Sequence, residues 1–130
     1  MTVIKSRRYN YIFGGFTTFQ WNGILVYDSD AFIFSLVNAY NTPVKMSKIY
    51  GEKAIVPDPS NGPSFGGYDI ELLDNSNITA SYSYIESYQL PSFTQNNEFL
   101  IGSSKFLADE IEVYALDGIN LYIFHKIKNL

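Results

Sequence analysis

The chain has no cysteine. That excludes a disulfide scaffold, a thiolate nucleophile, a cysteine zinc site and thiol redox chemistry within it. It fits a reducing compartment, so an intracellular, cytoplasmic setting is expected. Histidine is almost absent as well, His125 being the only one. One imidazole and no thiolate cannot build a His- or Cys-rich metal site, and no cofactor is expected. His125 has no acid near it in sequence and reads as a structural or surface residue. No run approaches the roughly 18 apolar residues of a spanning helix. Met1–Asn10 lacks the apolar segment of a signal peptide. Positive charge is also in deficit: 9 Lys and Arg stand against 13 Asp and Glu, for a formal net charge of −4. An acidic chain without a basic stripe is a poor ligand for nucleic acid. The small cluster Lys5, Arg7 and Arg8 reads as a solvated end. Helical periodicity is nowhere convincing, and there is no linker or low-complexity tract.

What the chain does have is apolar and aromatic surface. Of its 130 residues 46% are apolar and 17% aromatic, led by 11 Tyr and 10 Phe. Such a chain forms one domain that buries about two thirds of the surface its unfolded state exposes. Tyr, Phe, Val, Ile and Thr suit pleated, half-buried surfaces, so the composition leans towards β structure.

Alternation and turn chemistry divide the chain into short strands. Strands are expected over 9–17, 31–37, 44–49, 53–56 and 68–73, with 18–30 as loop. Residues 58–64 are dense in turn formers and read as a loop; 81–88 read as an irregular ordered loop. Glu110-Ile111-Glu112-Val113-Tyr114-Ala115 alternates, with Ile111, Val113 and Ala115 on one face and the glutamates with Tyr114 on the other. Asp117-Gly118 is a hairpin signal, and Asn120 to Lys128 alternates again. The fold class is mainly β, a two-layer antiparallel sandwich with few short helices. The organisation is a lead-in at 1–10, the main domain at 11–116 and a hairpin strand or tail at 117–130.

One phrase is written twice, as Phe13-Gly14-Gly15-Phe16 and Phe65-Gly66-Gly67-Tyr68. A glycine pair weakens a strand, so it is expected where the chain bends, bulges or lets another backbone come close. Its flanks differ, so it is no true repeat. In order along the chain stand Ile12-Phe13-Gly14-Gly15-Phe16, Trp21, Asp30-Ala31-Phe32-Ile33-Phe34-Ser35-Leu36, and Gly62-Pro63-Ser64-Phe65-Gly66-Gly67 with Asp69-Ile70. Then come Ser83-Tyr84, Ser87-Tyr88, Pro91, Phe99-Leu100-Ile101-Gly102, Phe106 and Glu110-Ile111-Glu112-Val113-Tyr114.

This ordered set resembles the TLDc (TBC/LysM-associated) domain of oxidation-resistance proteins, a family found in many multidomain eukaryotic proteins. It corresponds to the C-terminal portion of that domain, over roughly residues 11–116. A third glycine common in the family is replaced by Tyr68. The resemblance implies a β-sandwich with flanking helices, most of them belonging to an upstream segment (α+β for the whole domain). It implies a role in oxidative-stress resistance and, in several members, binding to subunits of the vacuolar proton pump, the V-ATPase. It implies no defined catalysis. Its landmark residues here are Gly14, Gly15, Trp21, Phe34, Gly62, Phe65, Gly66, Gly67, Gly102, Glu110 and Glu112. Absence of the upstream segment would leave a sheet edge or face open to association.

Candidate chemistry is sparse. Glu110 and Glu112 share a strand face and could in principle do acid–base work, including peroxide detoxification; a solvated or partner-binding face is the simpler reading. Asp28 and Asp30 flank Ser29 at a calcium-loop spacing, but the rest of that pattern is missing and turn roles are expected. Ser83 and Ser87 lack a neighbouring base. The glycine-rich 62–67 segment lacks the lysine of a phosphate loop. Tyr82, Tyr84 and Tyr88 could form an aromatic platform, which makes a carbohydrate-binding sandwich the alternative binding class.

Overall fold

The computed structural model describes residues 1–21, 26–117 and 120–128, and the side chains among these except for 116–117 and 120–128. The hairpin turn at Gly118, the Asn22-Gly23 part of the first turn signal and the His125 side chain lie outside what is described. Ten strands form: β1 (Thr2–Ser6), β2 (Ile12–Phe16), β3 (Phe32–Val37), β4 (Val44–Ser47), β5 (Asn61–Phe65), β6 (Ile70–Leu73), β7 (Ser81–Tyr82), β8 (Lys105–Phe106), β9 (Ala108–Asp117) and β10 (Asn120–Lys128). Every described pairing is antiparallel. One sheet runs β10-β9-β1-β2-β3-β4 and the other β5-β6-β7-β8. No helix occurs among the described residues.

The two sheets meet through aromatic rings. Phe13 of β2 packs edge-on against Phe106 of β8, with ring centroids 5.3 Å apart. Ile4, Phe13, Ile33, Met46, Phe65, Ile70 and Ile111 belong to one buried core. The chain changes sheets at Leu107: Phe106 pairs with Ser81 in the smaller sheet, and Ala108 with Ser6 in the larger.

Sequence expectations change at four places. Residues 2–6 are no lead-in but a strand of the larger sheet, since β1 sits between β9 and β2, while Arg7 to Asn10 are exposed. The inward residues of β1 are Thr2, Ile4 and Ser6, two of them polar, so burial leaves no apolar-in pattern to read. Residues 61–65 are a strand, not a loop. Pro63 cannot donate to a ladder, and β5 accommodates it at a sheet edge beside a register shift. Residues 53–56 form no strand, Ile55 making only isolated bridges to Val26 and Phe65, and Ser81–Tyr82 of the expected 81–88 loop form β7.

Candidate functional site

The larger sheet turns one face to the core and one outward. Register lines up Glu112, Val3, Gly14, Phe34 and Lys45 as one row across β9, β1, β2, β3 and β4. Because strand side chains alternate, this row lies on the outward face, opposite buried Ile4, Phe13, Ile33 and Met46. Phe32, Phe34, Leu36, Val44 and Lys45, with Met1, Val3 and Pro43, line a shallow recess of about 460 Å³ there. The Lys45 ammonium lies 4.1 Å from the Phe32 ring centroid. Leu36 is 50% exposed. Gly14 is required at this place: a Cβ would stand 1.9 Å from the Thr2 carbonyl oxygen and 2.9 Å from Cζ of Phe34.

Both predicted glutamates lie on this outward face. Glu110 is 3.8 Å from the Lys5 ammonium, which also lies 3.5 Å from Asp109. The Tyr114 hydroxyl donates to Glu112 Oε2.

A second recess, of about 680 Å³, opens at one end of the sandwich. Phe16, Thr17, Thr18, Gln20, Trp21 and Phe65 contribute to its walls. Trp21 meets Phe65 edge-on at 5.2 Å. The Phe65 ring in turn fills the place of a side chain at Gly15, whose Cβ would lie 2.7 Å from it. The first glycine pair therefore admits the close approach of the Thr2 carbonyl, Phe34 and Phe65, and the pairing of β2 with β3 shifts register between Ile12 and Phe13, just before it. Asp28 anchors the neighbouring loop: Oδ2 accepts from the Thr17 hydroxyl (2.8 Å) and the Thr18 amide (2.8 Å), and Oδ1 from the Asp30 amide (3.0 Å). Burial raises its pKa, but these bonds outweigh that and hold the carboxyl below its ordinary value. The turn role expected for this segment is what the geometry shows.

The second glycine pair belongs to a buried polar knot centred on Asp69, which has no exposed surface. Oδ2 accepts from the amides of Glu86 (2.9 Å), Ser87 (2.9 Å) and Tyr88 (3.1 Å). One carboxylate thus fixes residues 86–88 to the start of β6. Burial pushes the Asp69 pKa up to about 6, against the downward pull of the amides. Gly66 runs at φ +64°, and a Cβ there would sit 2.0 Å from Asp69 Oδ1. A Cβ at Gly67 would meet nothing within 4 Å. Gly62 lies in β5 against Leu72, and at Gly102, which runs at φ +77°, a Cβ would lie 4.0 Å from Cε2 of Tyr9.

The tyrosine platform does not assemble. Tyr88 is buried and donates its hydroxyl to the Ala54 carbonyl at 2.8 Å. Burial, with the nearby Asp69 charge, raises its pKa. Ser83 donates to the Asp69 carbonyl at 2.8 Å, which is a structural use. Asp69 is the residue whose importance sequence reasoning missed; the signal was a short acid two positions after a glycine pair. Among the described residues, no group of three His, Cys, Asp or Glu is placed to hold a metal ion. The arrangement as a whole offers apolar and aromatic contact.

The TLDc domain family model matches residues 1–117. Nothing matches the chain among curated proteins or among solved structures. The match takes in β1 through β9, including Thr2–Ser6. The chain belongs to the TLDc domain family.

Proposed function

We propose that this domain is a non-catalytic protein-binding module acting in oxidative-stress resistance, with the outward face of the six-stranded sheet as its docking surface and a subunit of the vacuolar proton pump as its partner. The observation that carries the reading is the apolar recess of Val3, Phe32, Phe34 and Leu36 on that face. An apolar recess of this kind, with Leu36 half exposed and Val3 and Phe32 partly so, suits burial against a partner. The family's association with oxidation resistance and with the pump supports the choice of process and partner.

The test uses two measurements on the purified protein. Hydrogen peroxide should decay no faster with it than in buffer, and it should co-migrate with purified vacuolar proton pump on size exclusion. Peroxide turnover by metal-free protein would replace this reading with an enzymatic one. Failure to co-migrate would remove the pump as partner.

A further inference from the structure

The β1–β2 connection gathers a different kind of surface. Ser6 and Tyr11 close the hairpin, with the Ser6 amide donating to the Tyr11 carbonyl at 2.9 Å. Between them Tyr9 and Asn10 both lie in the left-handed region, at φ +70° and +55°. Asparagine tolerates that conformation; a bulky L residue avoids it. Tyr9 nevertheless stands there and is 52% exposed. Its ring stacks on Tyr11 with centroids 5.3 Å apart, and the Arg8 guanidinium lies 4.8 Å from its centroid.

A second cation of the hairpin, Arg7, is tied to neighbouring segments, and Lys105 belongs to one of them. Arg7 donates its side chain to the Asn77 carbonyl at 2.7 Å and its amide to the Leu107 carbonyl at 2.9 Å. Lys105, two residues before Leu107, is exposed and lies 5.8 Å from the Tyr82 ring centroid. Lys5, by contrast, faces Asp109 and Glu110. Arg7, Arg8 and Lys105 thus collect with tyrosine rings at one end of a chain whose net charge is −4.

We infer that this end, built from Arg7, Arg8, Tyr9, Tyr11, Tyr82 and Lys105, binds an acidic segment of a partner protein. Carboxylates pair with the three cations, and apolar side chains of the segment lie on the Tyr9 and Tyr11 rings. Arg and Tyr are the residue types that carry most energy at interfaces. Stacking on Tyr9 holds the Arg8 head in place before binding, which lowers the ordering cost. Tyr9 stands in a backbone conformation that Asn or Gly adopts with less strain, which points to use of the side chain itself. A nucleic-acid strand fits less well, because three cations on an acidic molecule do not make a phosphate-tracking groove. This surface is separate from the outward sheet face, so either site can fail without the other.

The test titrates the full chain with a fluorescent twelve-residue peptide of alternating Glu and Phe, its Lys and Phe counterpart, and a twelve-nucleotide thymidine strand. The Glu and Phe peptide should bind, more weakly as salt rises, and shift amide resonances of residues 7–11, 76–82 and 102–107. Arg8→Glu should weaken binding roughly tenfold or more. Tyr9→Asn, which suits the backbone, should weaken it about fivefold without lowering the melting temperature. Tighter binding of either other probe, shifts confined to other residues, or full affinity in Arg8→Glu would overturn the inference. A lower melting temperature with intact affinity in Tyr9→Asn would assign that ring to the fold and likewise contradict it.

Discussion

At Gly66 the backbone runs left-handed and the space beside it is taken by the Asp69 carboxylate. Both conditions demand glycine, so Gly66→Ala should cost about 3 kcal/mol or more through strain and loss of the amide-bound carboxylate. Gly67 has neither constraint. Gly67→Ala should change stability by no more than about 0.5 kcal/mol. Urea unfolding of the pair checks this, and equal losses would contradict it. Asp69 itself sets a pH dependence. Its folded pKa of about 6 exceeds the ordinary unfolded value near 4. Between those pH values the folded state holds a proton that the unfolded state has lost. The Asp69 contribution therefore favours folding most below about pH 4 and declines as pH rises to 6. Asp28 acts in the opposite sense: its depressed pKa contributes stability above the unfolded value, lost as pH falls through the folded one. A carbon-13 titration of the Asp69 carboxyl should show a midpoint near 6; a midpoint below 4 would mean that the amides outweigh burial there.

Among elements, legibility followed the inward face of each strand. β9 alternates apolar and charged residues, so its existence and the facing of Glu110 to Tyr114 could be read directly, though it extends to Ala108 and Asp117. So could the antiparallel return of β10 and the core of β3. β1 could not, because Thr2 and Ser6 occupy its inward positions beside Ile4. β5 could not, because Asn61, Gly62, Pro63 and Ser64 are turn formers that an edge strand tolerates. The Asp69 knot escaped for another reason. Its amide donors sit 17 to 19 residues away in sequence, a distance no local pattern reports. Tyr88 shows the same limit, since a tyrosine-rich segment does not say which ring is buried. The Phe13–Phe106 contact joins the two sheets and gives an element-scale test. Each Phe→Ala change should cost about 3–5 kcal/mol, with a coupling of about 0.5–1.5 kcal/mol in the double-mutant cycle. A coupling of zero would mean that the rings do not join the sheets energetically.

For the whole molecule, the family was legible because its landmarks are spread along the chain and keep their order. The structure explains why they are landmarks. Gly14 and Gly15 let β1, Phe34 and Phe65 close onto β2, and Gly66 makes room for Asp69. These residues build the fold, which is why they identify a family and reveal little chemistry. Glu110, Glu112, Gly14 and Phe34, scattered in sequence, share the outward face of one sheet. Binding through that face is tested by calorimetric titration of purified vacuolar proton pump with the wild-type domain and with Leu36→Asp, a change at a half-exposed position of the apolar recess. Wild-type binding is expected, with a loss of roughly tenfold or more in the variant and an unchanged melting temperature. Equal affinity of the two proteins for the pump would contradict docking through this face.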